Sequence, residues 1–281
     1  MGSMEGKVCL ITGATSGIGR QAVLELAGMG ATVGIVYRDR QRAEETRAEI
    51  LQATGNDRLE LLEADLASQA SLRRLAEEVL QRFPRLDVLI NNAGIMQRKR
   101  EFSPDGIEMT FAVNHLAYFL LTNLLLDRLK ASAPARIINI SSDAHRAVRM
   151  DFDNLQGEKR FSLMRVYSLS KLANVLFTYR LAKQLEGAGV TVNAVHPGFI
   201  KTRILHNAHS LLFSLLARFY ARSVQEGADT MVYLASSSEV EGQTGKYFVN
   251  RRASASGPGS YDEATMERLW EISANLTGLT A

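Results

Sequence analysis

The sequence of 281 residues contains one cysteine, five prolines and one tryptophan. A single cysteine excludes a disulfide framework within the chain and any metal site built from several thiolates. That residue, Cys9, lies in the apolar run from Val8 to Ile11, so we expect it to pack in the core. With no cysteine pair to oxidise, the sequence suits a reducing compartment, and we expect a cytoplasmic protein.

The net charge of the chain is also small. There are 33 Lys and Arg residues against 30 Asp and Glu residues, which gives a formal net charge of +3. The one basic run, Arg98, Lys99 and Arg100, has no aromatic residue interleaved with it, which favours a solvated loop over a nucleic-acid contact. Docking of a phosphate-bearing ligand is the alternative. We therefore expect no nucleic-acid partner.

Long hydrophobic runs are missing as well. The longest apolar stretches are residues 116–126 and 211–216. Both are shorter than the roughly 20 residues that span a bilayer. We expect no signal peptide before the first predicted strand, and we interpret Met1, Gly2 and Ser3 as an expression scar. The sequence predicts a soluble protein without a membrane span.

Short apolar runs alternate with longer segments of helical period along the chain. This alternation predicts a Rossmann-type α/β fold, in which a doubly wound parallel sheet of about seven strands carries helices on both faces, in a single domain over residues 1–281. The predicted strands are residues 7–12, 32–37, 58–64, 86–90, 136–140, 190–195 and 246–249. The predicted helices are residues 17–29, 41–53, 71–83, 106–130 and 166–186.

Two predicted irregular regions, residues 144–164 and 200–222, follow the fifth and sixth predicted strands. Ligands of open α/β sheets bind beyond the carboxyl ends of the strands. We therefore expect these regions to form the substrate pocket, with residues 200–222 as its lid. The same apolar side chains could line the pocket or pack the lid onto the core: Phe152, Phe161, Phe199, Leu211, Leu212 and Phe213.

A glycine-rich stretch directly follows the first predicted strand and leads into the first predicted helix. It runs Thr12-Gly13-Ala14-Thr15-Ser16-Gly17-Ile18-Gly19. Glycines permit a tight turn and a close approach of the backbone to a pyrophosphate, which the N-terminus of the helix then binds. A plain structural turn is the alternative. The order of strand, loop and helix predicts a dinucleotide site at Gly13, Ser16, Gly17, Ile18 and Gly19.

The residues after the second predicted strand bear on the choice between NAD and NADP. An acidic residue there binds the ribose 2′-hydroxyl of NAD, whereas an arginine accommodates the 2′-phosphate of NADP. Arg38 follows the strand immediately, and its guanidinium suits a phosphate. Asp39 lies one position later, where a helix cap or a solvent-facing side chain is the better interpretation. NADP(H) is the predicted cofactor.

Tyr167 and Lys171 are four residues apart in a predicted helix, so both project from one face. A free tyrosine has a pKa of about 10, and a nearby lysine cation lowers it toward the range that is useful for proton transfer. The pair predicts a general acid/base supported by a cation. Because this spacing also occurs by chance, its meaning depends on the surrounding motifs.

Five short motifs follow one another along the chain. They are the glycine loop, Asn91-Asn92-Ala93-Gly94, Ser141-Ser142, Tyr167 with Lys171, and Pro197-Gly198. In this order they resemble the short-chain dehydrogenase/reductase family along essentially the whole sequence. The 25 residues between Ser142 and Tyr167 fit its retinol dehydrogenase-like branch. Further stretches similar to that branch are Val113-Asn114-His115-Leu116, Leu155-Gln156-Gly157-Glu158-Lys159, Ser170-Lys171-Leu172-Ala173-Asn174 and Arg268-Leu269-Trp270.

The resemblance implies catalytic roles for four residues. Tyr167 would transfer the proton, and Lys171 would bind the nicotinamide ribose. Ser142 would hydrogen-bond the substrate oxygen, with Ser141 as the structural alternative. Asn114 would hold the long helix open around a water that connects Lys171 with solvent; a helix-kink amide is the alternative.

The resemblance also implies cofactor contacts beyond the glycine loop and Arg38. These side chains and backbone groups follow the third, fourth and sixth predicted strands. Asp65 and Leu66 would receive the adenine. The adenosine ribose would contact Asn92, Ala93 and Gly94. The carboxamide and a nearby phosphate would contact Pro197, Gly198, Ile200 and Thr202.

The implied function is an NADP(H)-dependent oxidoreductase that transfers a hydride between nicotinamide and an alcohol or carbonyl carbon of an apolar small molecule. A non-catalytic NADP(H)-binding regulator is one alternative, which the complete Tyr167 and Lys171 pair argues against. A light-driven protochlorophyllide-type reductase is another, which the single cysteine argues against. The five histidines lack a zinc-ligand pattern, so no metal is expected. His145 lies in the pocket-forming insertion and is a candidate substrate contact.

Members of the family often assemble through the helix of the Tyr167 pair and a helix that begins near Val224. We therefore expect a homodimer or homotetramer. Leu172, Val175, Leu176 and Tyr179 recur at helical spacing and could bury a partner. Core packing within one chain explains the same stripe.

Overall fold

Eight strands form one sheet in the computed structural model, which describes residues 2–199 and 223–279. The strand order is β3-β2-β1-β4-β5-β6-β7-β8. The first seven strands are parallel, and β8 is antiparallel to β7. The strands are β1 (Val8–Ile11), β2 (Thr32–Tyr37), β3 (Leu59–Glu63), β4 (Val88–Asn91), β5 (Ala135–Ile140), β6 (Val190–His196), β7 (Lys246–Val249) and β8 (Arg252–Ser254).

The helices lie on both faces of the sheet, which confirms the predicted doubly wound Rossmann-type fold. They are α1 (Gly17–Gly28), α2 (Arg40–Thr54), α3 (Gln69–Arg82), α4 (Met109–Ala131), α5 (Leu163–Gln184), α6 (Val224–Ser236) and α7 (Glu263–Thr277). Side chains cap the N-termini of several of these helices. Ser68 caps α3 by accepting from the N–H of Ser71, and a capping box between Ser223 and Glu226 begins α6.

The core consists of two apolar layers. Helices α1, α2 and α6 cover one face of the sheet, through side chains such as Leu26, Ile50 and Met231. Helices α3, α4 and α5 cover the other face, through side chains such as Leu75 and Phe177. Because β1, β4 and β5 are covered on both faces, they form nearly continuous apolar runs, as parallel strands do.

Helix α7 forms an additional layer outside α4 and α5. The indole of Trp270 packs on the rings of Phe119 and Phe177, with centroids 4.9 and 6.0 Å away. The guanidinium of Arg180 on α5 lies over the same indole and also binds Glu267. The last described helix is thereby fixed to the two helices that carry the predicted catalytic residues.

Helix α4 is long and apolar enough to cross a membrane by length and composition alone, with a mean hydropathy of 1.4. It extends beyond the apolar run recognised in the sequence. However, 83% of the apolar segment is buried inside the protein. Such burial is typical of a core helix in a globular protein.

The apolar stripe on α5 belongs to the core of this chain. Leu172, Val175 and Leu176 are fully buried, and Tyr179 is buried as well. They pack with Phe111 of α4 and with side chains of α7. Of the two interpretations of this stripe, core packing is the one that the structure confirms, so the stripe does not support a dimer. The oligomeric state itself stays a prediction.

The strand order reverses between β1 and β4, because β2 and β3 lie on one side of β1 while β4 to β8 lie on the other. The helices that follow two such strands diverge and leave a crevice at the carboxyl edge of the sheet. The glycine loop follows β1, and Asn92 follows β4. The fold therefore places the predicted dinucleotide site at this crevice.

Candidate active site

The glycine loop is tied to the segment that follows β4. Gly13 and Gly17 have φ angles of +64° and +54°, in the left-handed region that glycine adopts without strain. The hydroxyl oxygen of Thr12 accepts hydrogen bonds from the backbone N–H groups of Asn92 and Ala93, at 2.9 and 3.1 Å. These bonds join the two loops that bound the crevice.

The first turn of α1 is suited to bind an anion. Ser16 is the N-cap residue, and its side chain caps no amide within the part of the chain that the structure describes. Free N–H groups at a helix N-terminus carry partial positive charge and bind phosphates. A Cβ atom at Gly19 would collide with the carbonyl oxygen of Gly13, so only glycine permits this close packing. The predicted contacts Ser16, Gly17, Ile18 and Gly19 all lie in this turn, which fits a pyrophosphate.

The tetrapeptide after β4 connects the glycine loop with the predicted catalytic residues. The side-chain amide of Asn92 donates to two carbonyl oxygens of the glycine loop, at 2.8 and 3.2 Å. The carbonyl oxygen of Ala93 accepts from the hydroxyl of Tyr118 at 2.7 Å. A Cβ atom at Gly94 would lie 3.5 Å from Nζ of Lys171. Asn92 therefore shapes the crevice, and Gly94 lies beside the lysine ammonium.

Arg38 and Asp39 both follow the carboxyl end of β2, but their side chains have different surroundings. The Asp39 carboxylate caps α2, since it accepts from the N–H of Arg42 at 3.2 Å and lies 3.6 Å from the guanidinium of the same residue. Arg38 is exposed and forms no ion pair with any described residue. The interpretation of Asp39 as a helix cap is confirmed, and the Arg38 guanidinium is available to a ligand.

Asp65 and Leu66 follow β3 as predicted. The carboxylate of Asp65 accepts from the N–H of Ala67 at 3.0 Å, while the Asp65 N–H donates to the hydroxyl of Ser71 at 3.0 Å. Leu66 packs partly buried against the core. Both residues shape the turn into α3, and their contact with adenine stays a prediction.

Ser142 and Tyr167 face each other from different elements. Ser142 follows β5 and begins a 3₁₀ turn at Asp143–Ala147, with its Oγ accepting from the N–H of Ala144 at 3.3 Å. Tyr167 lies near the start of α5. Burial raises the pKa of the Tyr167 phenol, and a hydrogen bond with the side chain of Ser142 opposes that shift in part. The predicted proton donor and the predicted oxygen-binding serine are therefore neighbours in the structure.

Lys171 lies one turn after Tyr167 on α5 and is 3% exposed. Its ammonium donates to the carbonyl oxygen of Ile140 at 3.1 Å and lies 5.8 Å from the centroid of the Tyr167 ring. Burial lowers the pKa of Lys171 to about 7. The expectation that the lysine lowers the pKa of Tyr167 is not met, since this pKa is raised in the structure. The reason is that desolvation of the phenol dominates, while the ammonium binds the carbonyl of Ile140.

Asn114 lies in a π-helical turn of α4 at Ala112–Leu116. Such turns interrupt an α-helix and free main-chain groups for other partners. The side chain of Asn114 exchanges two hydrogen bonds with the backbone of Ile95, at 2.8 and 3.0 Å, and donates to the hydroxyl of Ser170 at 3.0 Å. Asn114 thus connects α4, the segment after β4 and α5. Its participation in a water relay stays a prediction.

His145 lies behind Ser142, with both ring nitrogens bound to the protein backbone. It is fully buried, and its Nδ1 is 2.6 Å from the carbonyl oxygen of Ser142. Its Nε2 accepts from the N–H of Gly257 at 2.7 Å, and its ring packs on Tyr247. The expectation that His145 contacts the substrate is therefore not supported by its position; it holds the Ser142 backbone.

The segment after β6 is only partly described. Pro197 and Gly198 are partly buried at the carboxyl edge of the sheet, and Gly198 has a φ of +90°, which favours glycine. Ile200 and Thr202 lie outside the described residues, as does the lid at residues 200–222. Their predicted contacts with the cofactor and substrate stay predictions.

Two side chains near Lys171 were not recognised in the sequence. Tyr118 lies four residues after Asn114, and its ring centroid is 5.7 Å from the lysine ammonium. Asn174 lies three residues after Lys171 and donates to the carbonyl oxygens of Asn114 and Ile140. Helical spacing from a predicted catalytic residue could have identified both, but only the fold shows which face each one shares.

Comparison with known proteins identifies the family. A model of the short chain dehydrogenase family matches residues 7–211. The chain belongs to the short-chain dehydrogenase family. Proteins of this family use a nicotinamide cofactor, so this short-chain dehydrogenase is an oxidoreductase. The matched residues include the glycine loop, Ser142, Tyr167 and Lys171.

The relatives also confirm the branch of the family. Retinol dehydrogenase 14 from Homo sapiens is 46% identical, over 99% of this chain and 88% of its own length. The structure of an uncharacterized protein from Mycobacterium paratuberculosis has a TM-score of 0.81 and 32% identity, over 99% of this chain and 96% of that chain. The NADP active-site complex of RhlG from Pseudomonas aeruginosa has a TM-score of 0.71 and 28% identity, over 92% of this chain and 98% of that chain. This short-chain dehydrogenase is therefore retinol dehydrogenase-like and acts on an alcohol or a carbonyl group.

Proposed function

We propose that this short-chain dehydrogenase transfers a hydride between NADP(H) and an alcohol or carbonyl carbon, with Tyr167 as the general acid/base. The observation that carries the proposal is the convergence of three side chains from separate elements. Ser142 after β5 lies close enough to Tyr167 on α5 to affect the pKa of its phenol, and Lys171 lies one turn further along the same helix. All three lie at the edge of the sheet that carries the glycine loop.

When bound in the crevice, NADPH would supply the hydride that reduces the carbonyl carbon. Tyr167 donates its phenolic proton to the carbonyl oxygen, which becomes the hydroxyl of the product. Ser142 donates a hydrogen bond to the same oxygen and stabilises the negative charge that develops on it. In oxidation, the tyrosinate removes the proton from the alcohol. Burial of the phenol favours its protonated form, and this is the form that reduction requires.

The proposed preference for NADP(H) over NAD(H) depends on Arg38. Its exposed guanidinium follows β2 and is without an ion-pair partner among the described residues. The acidic side chain at the next position, Asp39, is engaged as the cap of α2. An arginine binds a 2′-phosphate through charged hydrogen bonds, whereas a capping carboxylate is held away from a ribose hydroxyl. The NADP complex of RhlG from Pseudomonas aeruginosa is consistent with this choice.

The proposed substrate is an apolar aldehyde, ketone or alcohol. Phe161 is partly buried in the segment before α5, and Phe199 is 37% exposed after β6. Phe152, by contrast, packs against the core beneath the guanidinium of Arg268. Of the four phenylalanines considered in the sequence, Phe213 lies outside the described residues, and Phe161 and Phe199 remain candidates for the pocket wall. The name of the human relative, retinol dehydrogenase 14, also favours an apolar substrate.

A substrate panel tests this function. The purified full chain is assayed with NADPH and with NADH against aldehydes and ketones of increasing apolar length, and with NADP⁺ and NAD⁺ against the matching alcohols. We expect turnover that favours NADP(H). Tyr167→Phe should reduce kcat by about 10²- to 10⁴-fold, the usual contribution of a positioned acid, while the NADPH dissociation constant is unchanged.

Tyr261→Phe is the matched control, because Tyr261 is 51% exposed and lies outside the predicted site. This variant should retain full turnover. NADPH binding without turnover of any panel member would favour the regulatory alternative. Turnover that requires light would favour the protochlorophyllide-type alternative. Near-normal kcat in Tyr167→Phe would contradict the mechanism.

A further inference from the structure

Asn174 is fully buried on α5, three residues after Lys171, so the two side chains share one face of the helix. Its amide nitrogen donates to the carbonyl oxygen of Asn114 at 2.9 Å and to that of Ile140 at 3.1 Å. The Asn114 carbonyl belongs to the π-helical turn of α4, and Ile140 is the last residue of β5. One side chain therefore connects α4, α5 and β5.

The carbonyl oxygen of Ile140 has two donors. The Lys171 ammonium and the Asn174 amide each lie 3.1 Å from it. A carbonyl oxygen has two lone pairs, so the two hydrogen bonds use its full capacity. Among the described residues, that carbonyl oxygen is the one hydrogen-bond acceptor of the Lys171 ammonium, and Asn174 donates to the same atom.

The orientation of the Asn174 amide is itself fixed. Its oxygen, which can only accept, lies 3.3 Å from Nδ1 of His115. Burial lowers the pKa of His115 to about 4, so the ring is neutral near pH 7 and its proton is assigned to Nδ1. Nε2 of His115 lies 3.0 Å from the hydroxyl of Ser273 on α7. A flipped amide would place its oxygen against two carbonyl oxygens, which is unfavourable.

The groups that face Lys171 carry no full charge near pH 7. Tyr118 of α4 and Tyr167 of α5 present their rings 5.7 and 5.8 Å from the ammonium, and burial raises the pKa of both phenols. The Ser141 hydroxyl donates to the Lys171 backbone carbonyl at 2.8 Å and so leaves the ammonium untouched. Neutral dipoles and exclusion of water therefore set the protonation of the lysine.

We propose that Asn174 is a positioning residue for Lys171: its amide donates to the same Ile140 carbonyl oxygen as the ammonium and keeps water away from that ammonium, with the amide itself oriented by His115. The importance of Lys171 for turnover rests on the proposed function, whereas its protonation does not. Removal of Asn174 takes away a positive N–H dipole next to the ammonium and admits water. Both effects favour the charged lysine and raise its pKa.

The test measures the protonation of Lys171 directly. The full chain is labelled with ¹³Cε-lysine and titrated by NMR without cofactor, and the Lys171 signal is assigned by its loss in Lys171→Arg. In Asn174→Ala the pKa of Lys171 should rise by about one unit or more from the value near 7. If Asn174→Ala does not fold, Asn174→Ser gives the same test, because a serine hydroxyl cannot reach both carbonyl oxygens.

Asn139→Ala is the matched control. Asn139 is equally buried and also joins β5 to α5, through a hydrogen bond to the hydroxyl of Thr178 at 3.0 Å. The substitution Asn139→Ala should lower the free energy of unfolding by a comparable amount and leave the pKa of Lys171 unchanged. An unchanged pKa in both Asn174 variants, or an equal shift in Asn139→Ala, overturns the proposal. Absence of turnover in the wild type would contradict the proposed function, and the titration would still decide the role of Asn174.

Discussion

The hydroxyl of Tyr118 donates a hydrogen bond to the carbonyl oxygen of Ala93 at 2.7 Å. Tyr118 lies on α4 and is buried, and Ala93 belongs to the segment after β4 that also binds Thr12. The Tyr118 hydroxyl therefore holds the proposed cofactor-binding segment against α4, beside the two hydrogen bonds that Asn114 makes to Ile95.

Tyr118→Phe should destabilise the protein and weaken the binding of NADPH. The substitution leaves the buried carbonyl oxygen of Ala93 without this donor, which costs about 1–3 kcal/mol. Urea unfolding gives the loss of stability, and fluorescence titration gives the NADPH dissociation constant. Tyr179→Phe is the control. The Tyr179 hydroxyl lies 2.8 Å from that of Ser256, so the variant also loses a buried hydrogen bond, but one outside the proposed cofactor-binding segment. If both variants bind NADPH as the wild type does, the Tyr118 bond is only structural.

The raised pKa of Tyr167 predicts different pH dependences of kcat for reduction and for oxidation. Reduction needs the protonated phenol, which burial favours, so titration of Tyr167 should not change its kcat through neutral pH. Oxidation needs the tyrosinate, so its kcat should increase as the pH rises toward the alkaline range. Steady-state rates measured in both directions with the same substrate pair check this. An oxidation rate that peaks at acid pH would contradict the assignment of the base.

Arg38→Ala should weaken NADPH binding by about 1.5–3 kcal/mol, the range for hydrogen bonds to a charged group, and leave NADH binding unchanged. The control is Arg40→Ala, because Arg40 is also exposed, lies two residues further on and pairs with Glu44 at 3.9 Å. Isothermal titration calorimetry with both cofactors measures the difference. Equal losses for NADPH and NADH in Arg38→Ala would show that the guanidinium does not recognise the 2′-phosphate.

His115 should make the protein less stable in acid. Burial lowers its pKa from 6.5 to about 4, so between these values the unfolded chain binds the proton more tightly than the folded one. The free energy of unfolding should therefore fall as the pH decreases from about 6.5 toward 4, by about 3 kcal/mol in total from this group. Urea unfolding across this range measures the slope. His115→Gln should flatten it; an equal slope in the variant would assign the acid sensitivity to other groups.

The sequence predicts the seven parallel strands of the sheet, but not the eighth strand or the last helix. The seven parallel strands are apolar runs between helices, and the structure contains each of them within a few residues of its predicted bounds. Strand β8 is three exposed residues, Arg252–Ser254, without an apolar alternation that could predict it. Helix α7 was not among the predicted helices, although its exposed glutamates, Glu263, Glu267 and Glu271, recur every four residues and its buried residues lie at helical spacing.

The candidate site was predictable where neighbouring strand ends bring residues together. Ser142 after β5 and Tyr167 on the next long helix meet because parallel strands end at one edge of the sheet. The contacts of Asn174 were not predictable, since they depend on a π-helical turn at Ala112–Leu116 that no single residue type signals. The raised pKa of Tyr167 likewise depends on burial, which the four-residue spacing does not report.

The packing of α7 has a consequence for the order in which the chain is made. Synthesis proceeds from the N-terminus, so α4 and α5 emerge from the ribosome well before Trp270 does. Until then, the rings of Phe119 and Phe177 lack the indole that covers them in the folded protein. Newly made chains should therefore present a transient aromatic surface, the kind that chaperones bind and that promotes aggregation during translation.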